Sequence, residues 1–127
     1  MKIDYDFLKQ ILIVMVDNDS YEIDTEKLME KLEIDEDNKQ KIDSFLGHLC
    51  ILNDNNCLDC RDDDLGIISR GSDGECCYTV EYFRLTAQGY QFLDVLKNDT
   101  IFSKIKDFSV STAIEVGKAA LINWVVK

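Results

Sequence analysis

Apolar residues at helical spacing recur along the chain, and this periodicity constrains the fold more than any other feature of the sequence. In Phe7–Met15 they fall three and four residues apart and form one broad stripe. The same spacing recurs in Leu28–Leu32, Ile42–Leu49 and Tyr90–Leu96. Because such stripes are buried only against other elements, the sequence predicts a mostly helical domain.

Polar residues indicate where the first helices begin and end. The candidate capping residues are Asp4 or Asp6 for the first helix and Asp24 or Thr25 for the second. The first helix is predicted to run to about Val16, and the polar residues 17–20 indicate a loop after it. Tyr21–Ile23 could form a very short strand before the second helix.

The later helices have their own start signals. Asp35–Asp37 is predicted to lie at the mouth of the third helix, where carboxylates are favourable with the helix dipole. Thr86 is a predicted cap for the fourth helix, and a fifth is expected over about Thr100–Phe108. The last helix is expected to start near residue 111 or 112, because Thr112 and Glu115 have the spacing of a capping box.

Two β-like segments separate the third and fourth helices. The first lies around Cys57–Arg61 or Leu65–Ser69, and the second, Cys77–Leu85, is rich in β-branched and aromatic residues. Arg70–Gly74 between them is a turn cluster with two glycines. The predicted class is therefore α+β and mostly helical, with the winged-helix-like order of three helices, a β-hairpin wing and additional C-terminal helices. The alternative is a generic α+β domain whose hairpin covers a helical bundle.

The length of 127 residues fits one domain. We expect a single winged-helix-like domain over residues 1–127, with residues 99–127 as a C-terminal helical extension. The acidic start of the sequence lacks the basic region of a signal peptide, and charged residues interrupt its longest apolar stretch. Five cysteines, an odd number, suggest reduced thiols. These features predict a cytoplasmic protein without a membrane span.

The formal net charge of −11 is unevenly distributed. The segments Asp17–Asp37 and Asp54–Glu81 carry net charges of −8 and −6, whereas Arg84–Lys127 carries +2. An acidic excess repels nucleic acid at long range. Both elements that would contact DNA in a winged helix, the third helix and the hairpin, lie in or beside the acidic segments, so binding to duplex DNA is not expected.

The cysteines raise the question of a metal site. Cys57-x-x-Cys60 and the pair Cys76 and Cys77 bracket the hairpin region, and zinc needs four such ligands around one point. Adjacent residues on a strand point to opposite faces, so Cys76 and Cys77 would not reach one metal without a bulge. We therefore expect reduced, partly buried thiols, with no metal and no cofactor.

No catalytic constellation is evident either, and we expect that the protein is not an enzyme. His48, the single histidine, and Cys50 lie two positions apart near the end of a helix, so they do not face each other. Asp62–Asp64 lacks the spaced acids and terminal glutamate of an EF-hand, which favours a solvated acidic loop. The role of His48 stays open at the level of sequence.

Four stretches resemble domain-of-unknown-function family twenty-five thirteen, a group of small bacterial and phage proteins. Arg84–Asp94 is similar to the family's Arg-Leu-Thr-Trp-x-Gly-His-x-Phe-Leu-Asp signature. Met1–Asp4, Gly47–Leu49 with Leu52, and Asn98–Lys106 are similar to weaker family segments. The chain departs from the signature at two positions, with Ala87 in place of tryptophan and Tyr90 in place of histidine. The resemblance implies a winged-helix-like fold and an association with prophages or mobile elements, but no established activity.

Three functional hypotheses follow. The first is a non-enzymatic, prophage- or mobile-element-linked interaction or regulatory protein that binds another protein through the winged-helix-like scaffold. The second is a DNA-binding transcriptional regulator, and the third, which ranks well below both, is a metal-dependent or thiol-dependent enzyme. The candidate partner-binding residues are the hairpin acids Asp62, Asp63, Asp64, Asp73 and Glu75.

The last helix suggests a homodimer, because its apolar residues cover more than one face. A second copy would bury the remaining face, and a two-fold pair is the default symmetry. The candidate interface residues are Ile114, Gly117, Leu121 and Trp124. The alternative is that this helix simply crosses the core of its own chain.

Overall fold

The computed structural model describes the backbone of residues 1–68 and 77–126, and the side chains of residues 1–67 and 78–123. These residues form an α+β structure in which helices predominate, as the sequence predicts. The elements in chain order are α1 (Tyr5–Asp17), β1 (Glu22–Asp24), α2 (Thr25–Lys31), α3 (Lys39–Asp54), β2 (Leu58–Cys60), β3 (Ile67–Ile68), β4 (Cys77–Tyr78), β5 (Tyr82–Leu85), α4 (Ala87–Lys97), α5 (Asp99–Ile105) and α6 (Val110–Val126).

Three predicted caps are confirmed by side-chain hydrogen bonds. The Asp4 carboxylate accepts from the Phe7 amide at 3.1 Å, and the Asp24 carboxylate accepts from the Lys27 amide at 2.8 Å. The Thr86 hydroxyl accepts from the Gly89 amide at 3.1 Å. Each bond satisfies an amide that has no partner inside its helix, so local chemistry fixed the starts of α1, α2 and α4.

Other predicted boundaries are wrong by a few residues. Asp35–Asp37 lies in a turn before α3, whose cap is Asn38. Helix α5 ends at Ile105 and not near Phe108. The predicted capping box at Thr112 is also wrong, because Ser109 lies ahead of α6 and its hydroxyl accepts from the Thr112 amide at 3.3 Å.

Both alternative positions for the first β segment are occupied. Strand β2 pairs with β5, and β1 pairs with the other edge of β5, which gives a three-stranded antiparallel sheet in the order β1-β5-β2. Strands β3 and β4 form a separate antiparallel pair within the β2–β5 connection. Phe83 in the central strand is buried between its partners Ile23 and Cys60, so one face of the sheet belongs to the core.

Helix α4 lies at the centre of the helical part, in contact with α1, α5 and α6. The C-terminal helices share its core, because Ile101, Ile105 and Ile114 are buried in the same apolar cluster as Phe92. Helices α5 and α6 therefore contribute to the apolar core as far as Leu121. Among the described residues, no helix has the length and apolar character needed to cross a membrane.

Candidate partner-binding surfaces

The predicted acidic loop follows β2. Asp62, Asp63 and Asp64 are all exposed, and the Asp64 carboxylate also accepts from the Gly66 amide at 2.9 Å. Asp73 and Glu75 lie outside the described residues. The structure thus brings together three of the five predicted partner-binding acids, on a surface where a partner can reach them.

Ion pairs occupy the outer face of the three-stranded sheet. Arg61 forms a bidentate ion pair with Glu22, and its guanidinium lies 4.2 Å from the centre of the Tyr82 ring. The hydrogen bond from Arg61 lowers the pKa of the Glu22 carboxyl. Arg84 pairs with Asp59 at 2.9 Å. Both arginines of this face are therefore neutralised within the chain.

Helix α3 has little exposed surface beyond its first turn. Lys39, Gln40 and Lys41 are exposed, but no residue from Ile42 to Asn53 is. The N-terminal segment contributes to this cover, because the Met1 side chain lies where a Cβ at Gly47 would be, with its sulfur 2.5 Å from that position. The part of α3 after its first turn is thus half-buried or buried as far as Asn53 and carries no exposed lysine or arginine.

His48 in α3 forms a hydrogen bond to the N-terminal segment ahead of α1. Its Nε2 accepts from the Asp4 amide at 3.0 Å, and its Nδ1 lies 2.7 Å from the Ser44 carbonyl, which requires that Nδ1 donate. The ring is buried and packs edge-on against Phe7, with centroids 5.1 Å apart. Both ring nitrogens are engaged in structural bonds, so neither is available as a base in this arrangement.

The two cysteines of the CxxC sequence are buried thiols. The Cys57 thiol donates to the Asn55 carbonyl, and the Cys60 thiol donates to the Asn53 side chain. Burial raises the pKa of the Cys57 thiol to about 11, and burial together with nearby carboxylates raises that of Cys60 to about 11. Cys76 and the Cys77 side chain lie outside the described residues. Within the described part of the chain, no group of three or more histidine, cysteine, aspartate or glutamate side chains could hold a metal ion.

The candidate dimer residues fall at different depths on α6. Ile114 is buried, and Gly117 packs so closely on α4 that a Cβ there would lie 2.4 Å from a Val95 methyl. Leu121 is half-buried, and the Trp124 side chain lies outside the described residues. Ile114 and Gly117 therefore present no surface to a second copy. The homodimer stays a prediction.

A surface that sequence reasoning missed lies beside α2. Its floor consists of Met29, Ile34 and Tyr78, and three exposed glutamates surround this floor. We call this cavity of about 360 Å³ the α2 groove; its residues are Glu26, Met29, Glu30, Ile34, Glu36 and Tyr78. The i, i+4 pair of Glu26 and Glu30 was the available signal, but only the tertiary fold brings Tyr78 and Glu36 beside it.

Comparisons with known proteins add no relative. No family model, curated protein or solved structure matches the chain. The resemblance to family twenty-five thirteen therefore stays a prediction.

Proposed function

We propose that this chain is a cytoplasmic, winged-helix-like protein that binds another protein, and that it acts as a non-enzymatic regulatory or interaction factor linked to a prophage or mobile element. The element order supports the scaffold: three helices with a short strand between the first two, then a connection that returns to the sheet centre. In this proposal the β3–β4 pair is the wing. The link to mobile elements is supported only by the family resemblance.

The observation that carries the proposal is the state of the surfaces that would meet DNA. Affinity for DNA comes chiefly from lysines and arginines that displace phosphate counterions. Arg61 and Arg84 are paired with carboxylates, and α3 is covered beyond Lys41. The exposed Asp62–Asp64 loop beside the sheet would repel phosphates. A scaffold with paired arginines, a half-buried third helix and acidic surroundings is better suited to a protein partner.

The absence of a catalytic role is supported by the chemistry of the two best candidates. The buried thiols of Cys57 and Cys60 have raised pKa values, so they hold little of the nucleophilic thiolate near neutral pH. The ring nitrogens of His48 bind the Asp4 amide and the Ser44 carbonyl. These groups hold the fold together instead of activating a substrate.

The test is affinity capture by the full-length protein from the host cytosol, followed by mass spectrometry. We expect a specific protein partner whose recovery falls when Asp62, Asp63 and Asp64 are changed to asparagine. Asparagine retains the oxygen that accepts from the Gly66 amide and tolerates the left-handed backbone at Asp63. Enrichment of DNA without a protein partner would contradict the proposal.

The second candidate is a DNA-binding regulator, which the order of helices and strands favours. It is tested by titrating labelled mixed duplexes at about 0.1 M salt, where the Debye length is about 10 Å. We expect no submicromolar binding. Submicromolar, salt-sensitive binding that weakens when Lys39 and Lys41 are changed to alanine would make the regulator the better assignment.

A further inference from the structure

The apolar floor of the α2 groove is built by the way α2 ends. The Ile34 amide donates to the Met29 carbonyl at 3.0 Å, and the Glu33 amide donates to the Glu30 carbonyl at 3.0 Å. This pair of bonds is a Schellman motif, with Glu33 in the left-handed conformation at φ 58°. The motif turns the chain back so that Ile34 lies against Met29, and the Tyr78 hydroxyl from β4 contacts the Met29 sulfur at 3.4 Å.

Three carboxylates surround this floor, and none of them has a partner among the described residues. Glu26 and Glu30 are one turn apart on α2, and Glu36 follows the turn. None of their carboxylates has a hydrogen bond or ion pair with any described residue, unlike those of Glu22 and Asp59 on the sheet. Burial raises the pKa of the Tyr78 hydroxyl, and the negative charges of Glu26 and Glu36 also raise it. The electrostatic potential of these two glutamates therefore extends to the floor of the groove.

We propose that the α2 groove binds an arginine or lysine side chain of a basic segment in a partner protein. The assignment rests on the proposed function that the chain binds protein, and it adds the chemistry of the partner. The aliphatic stem of such a side chain packs on Met29, Ile34 and Tyr78, while its charged head lies among the three glutamates. Charge complementarity selects this occupant. A purely apolar segment would leave the carboxylates uncompensated, and an acidic segment would be repelled by them.

The shape of the groove supports a side chain as its occupant. A volume of about 360 Å³ lies at the low end of the range for ligand pockets, which suits one long side chain better than a cofactor. The buried floor of Met29 and Ile34 offers nothing to a hydrated ion, but it removes methylene groups from water. Lys27 and Lys31 on α2 do not line the groove, so the site keeps its negative charge.

The experiment uses the full chain and a short fluorescein-labelled peptide in which arginines alternate with pairs of alanines. Fluorescence anisotropy at about 0.1 M salt compares the wild type with the triple variant E26Q/E30Q/E36Q. A matched control, D94N/D107N/E115Q, removes the same number of exposed charges from the other half of the chain. The peptide with citrulline in place of arginine reports binding that does not depend on charge.

We expect the groove variant to bind the arginine peptide about tenfold more weakly than the wild type, because three partly exposed pairs are lost. The control variant should lose less than about threefold, which reflects net charge alone. Equal losses in the two variants would overturn the proposal, and so would a loss confined to D62N/D63N/D64N. If spermidine displaced the labelled peptide as effectively as the unlabelled peptide does, the assignment to a peptide would be overturned.

A measurement on the wild-type protein does not depend on whether the variants fold correctly. On addition of the arginine peptide, the methyl signals of Met29 and Ile34 should shift in NMR spectra; shifts confined to other regions would contradict the site.

Failure of the groove proposal is distinguishable from failure of the proposed function. If the peptide does not bind the groove but capture retains a specific partner, only this inference fails, whereas peptide binding with DNA as the captured species removes the proposed function alone.

Discussion

Gly89 lies where the first turn of α4 meets the segment between α3 and β2, and replacing it with alanine is expected to destabilise the protein. A Cβ at this position would lie 2.5 Å from the Cys57 carbonyl oxygen and 3.0 Å from a Leu85 methyl. Carbon and oxygen atoms normally approach no closer than about 3.3 Å, so α4 or the Cys57 segment must move by about 0.8 Å. The obstacle is backbone, which cannot rotate away as a side chain can.

Hydrogen bonds resist that movement. The Thr86 amide donates to the Cys57 carbonyl at 3.0 Å, the Thr86 hydroxyl donates to the Asn56 carbonyl, and the Gln88 side chain donates to the Asn55 carbonyl at 2.7 Å. Weakening one or two of these bonds costs about 1 to 3 kcal/mol. Alanine is better than glycine in a helix by about 1 kcal/mol, which offsets part of the cost. The free energy of unfolding should therefore fall by up to about 2 kcal/mol.

The assay is urea denaturation followed by circular dichroism, with Gly47→Ala as the matched control. Gly47 is also in a helix, but its added Cβ would meet only the end of the flexible Met1 side chain. That side chain is mostly exposed and can move, so Gly47→Ala should leave stability unchanged or raise it by up to about 1 kcal/mol. If Gly89→Ala proved as stable as Gly47→Ala, the reasoning from the close backbone approach would be refuted.

Three further predictions concern backbone strain, pH and a buried ring. Glu33→Gly should raise the free energy of unfolding by about 1 kcal/mol in urea denaturation, because φ at this position is 58°; an unchanged or lower midpoint would contradict this. The free energy of unfolding should fall as pH rises from about 9 to 11, since the folded protein retains protons on Cys57 and Cys60 that the unfolded chain releases. Denaturation curves at both pH values check this. The fall should be smaller in the variant with both Cys57→Ala and Cys60→Ala. His48→Leu should cost about 1 to 3 kcal/mol in thermal unfolding because the Asp4 amide loses its acceptor, and His48→Gln should cost less; equal costs would show that this hydrogen bond is unimportant.

Local signals in the sequence were sufficient where one residue decides the backbone. Asp4, Asp24 and Thr86 cap their helices as predicted, because capping requires only a side-chain oxygen and the amide a few residues ahead. The prediction failed at Thr112, where Ser109 offered the same chemistry one turn earlier. Boundaries are decided by competition between neighbouring caps, which the pattern alone does not rank.

Gly89 makes a close contact that only the fold identifies. A glycine one turn into a helix predicts a close approach to some neighbour, and the structure identifies that neighbour as the Cys57 carbonyl. The thiols are similar, since the sequence predicts reduced, partly buried cysteines, and the fold supplies their acceptors, Asn53 in the last turn of α3 and Asn55 just after it.

The sequence by itself determined the helical content, three helix starts, the β segments between α3 and α4 and the acidic character of the Asp62–Asp64 loop, because periodicity, capping and charge are local properties. Tertiary structure alone decided that β5 lies between β1 and β2, that the N-terminal segment covers α3, and that Tyr78 and Glu36 join α2 in one groove. Each of these depends on contacts between residues far apart in the chain. Such contacts form when buried faces are matched in shape and area, and no short stretch of sequence contains both partners.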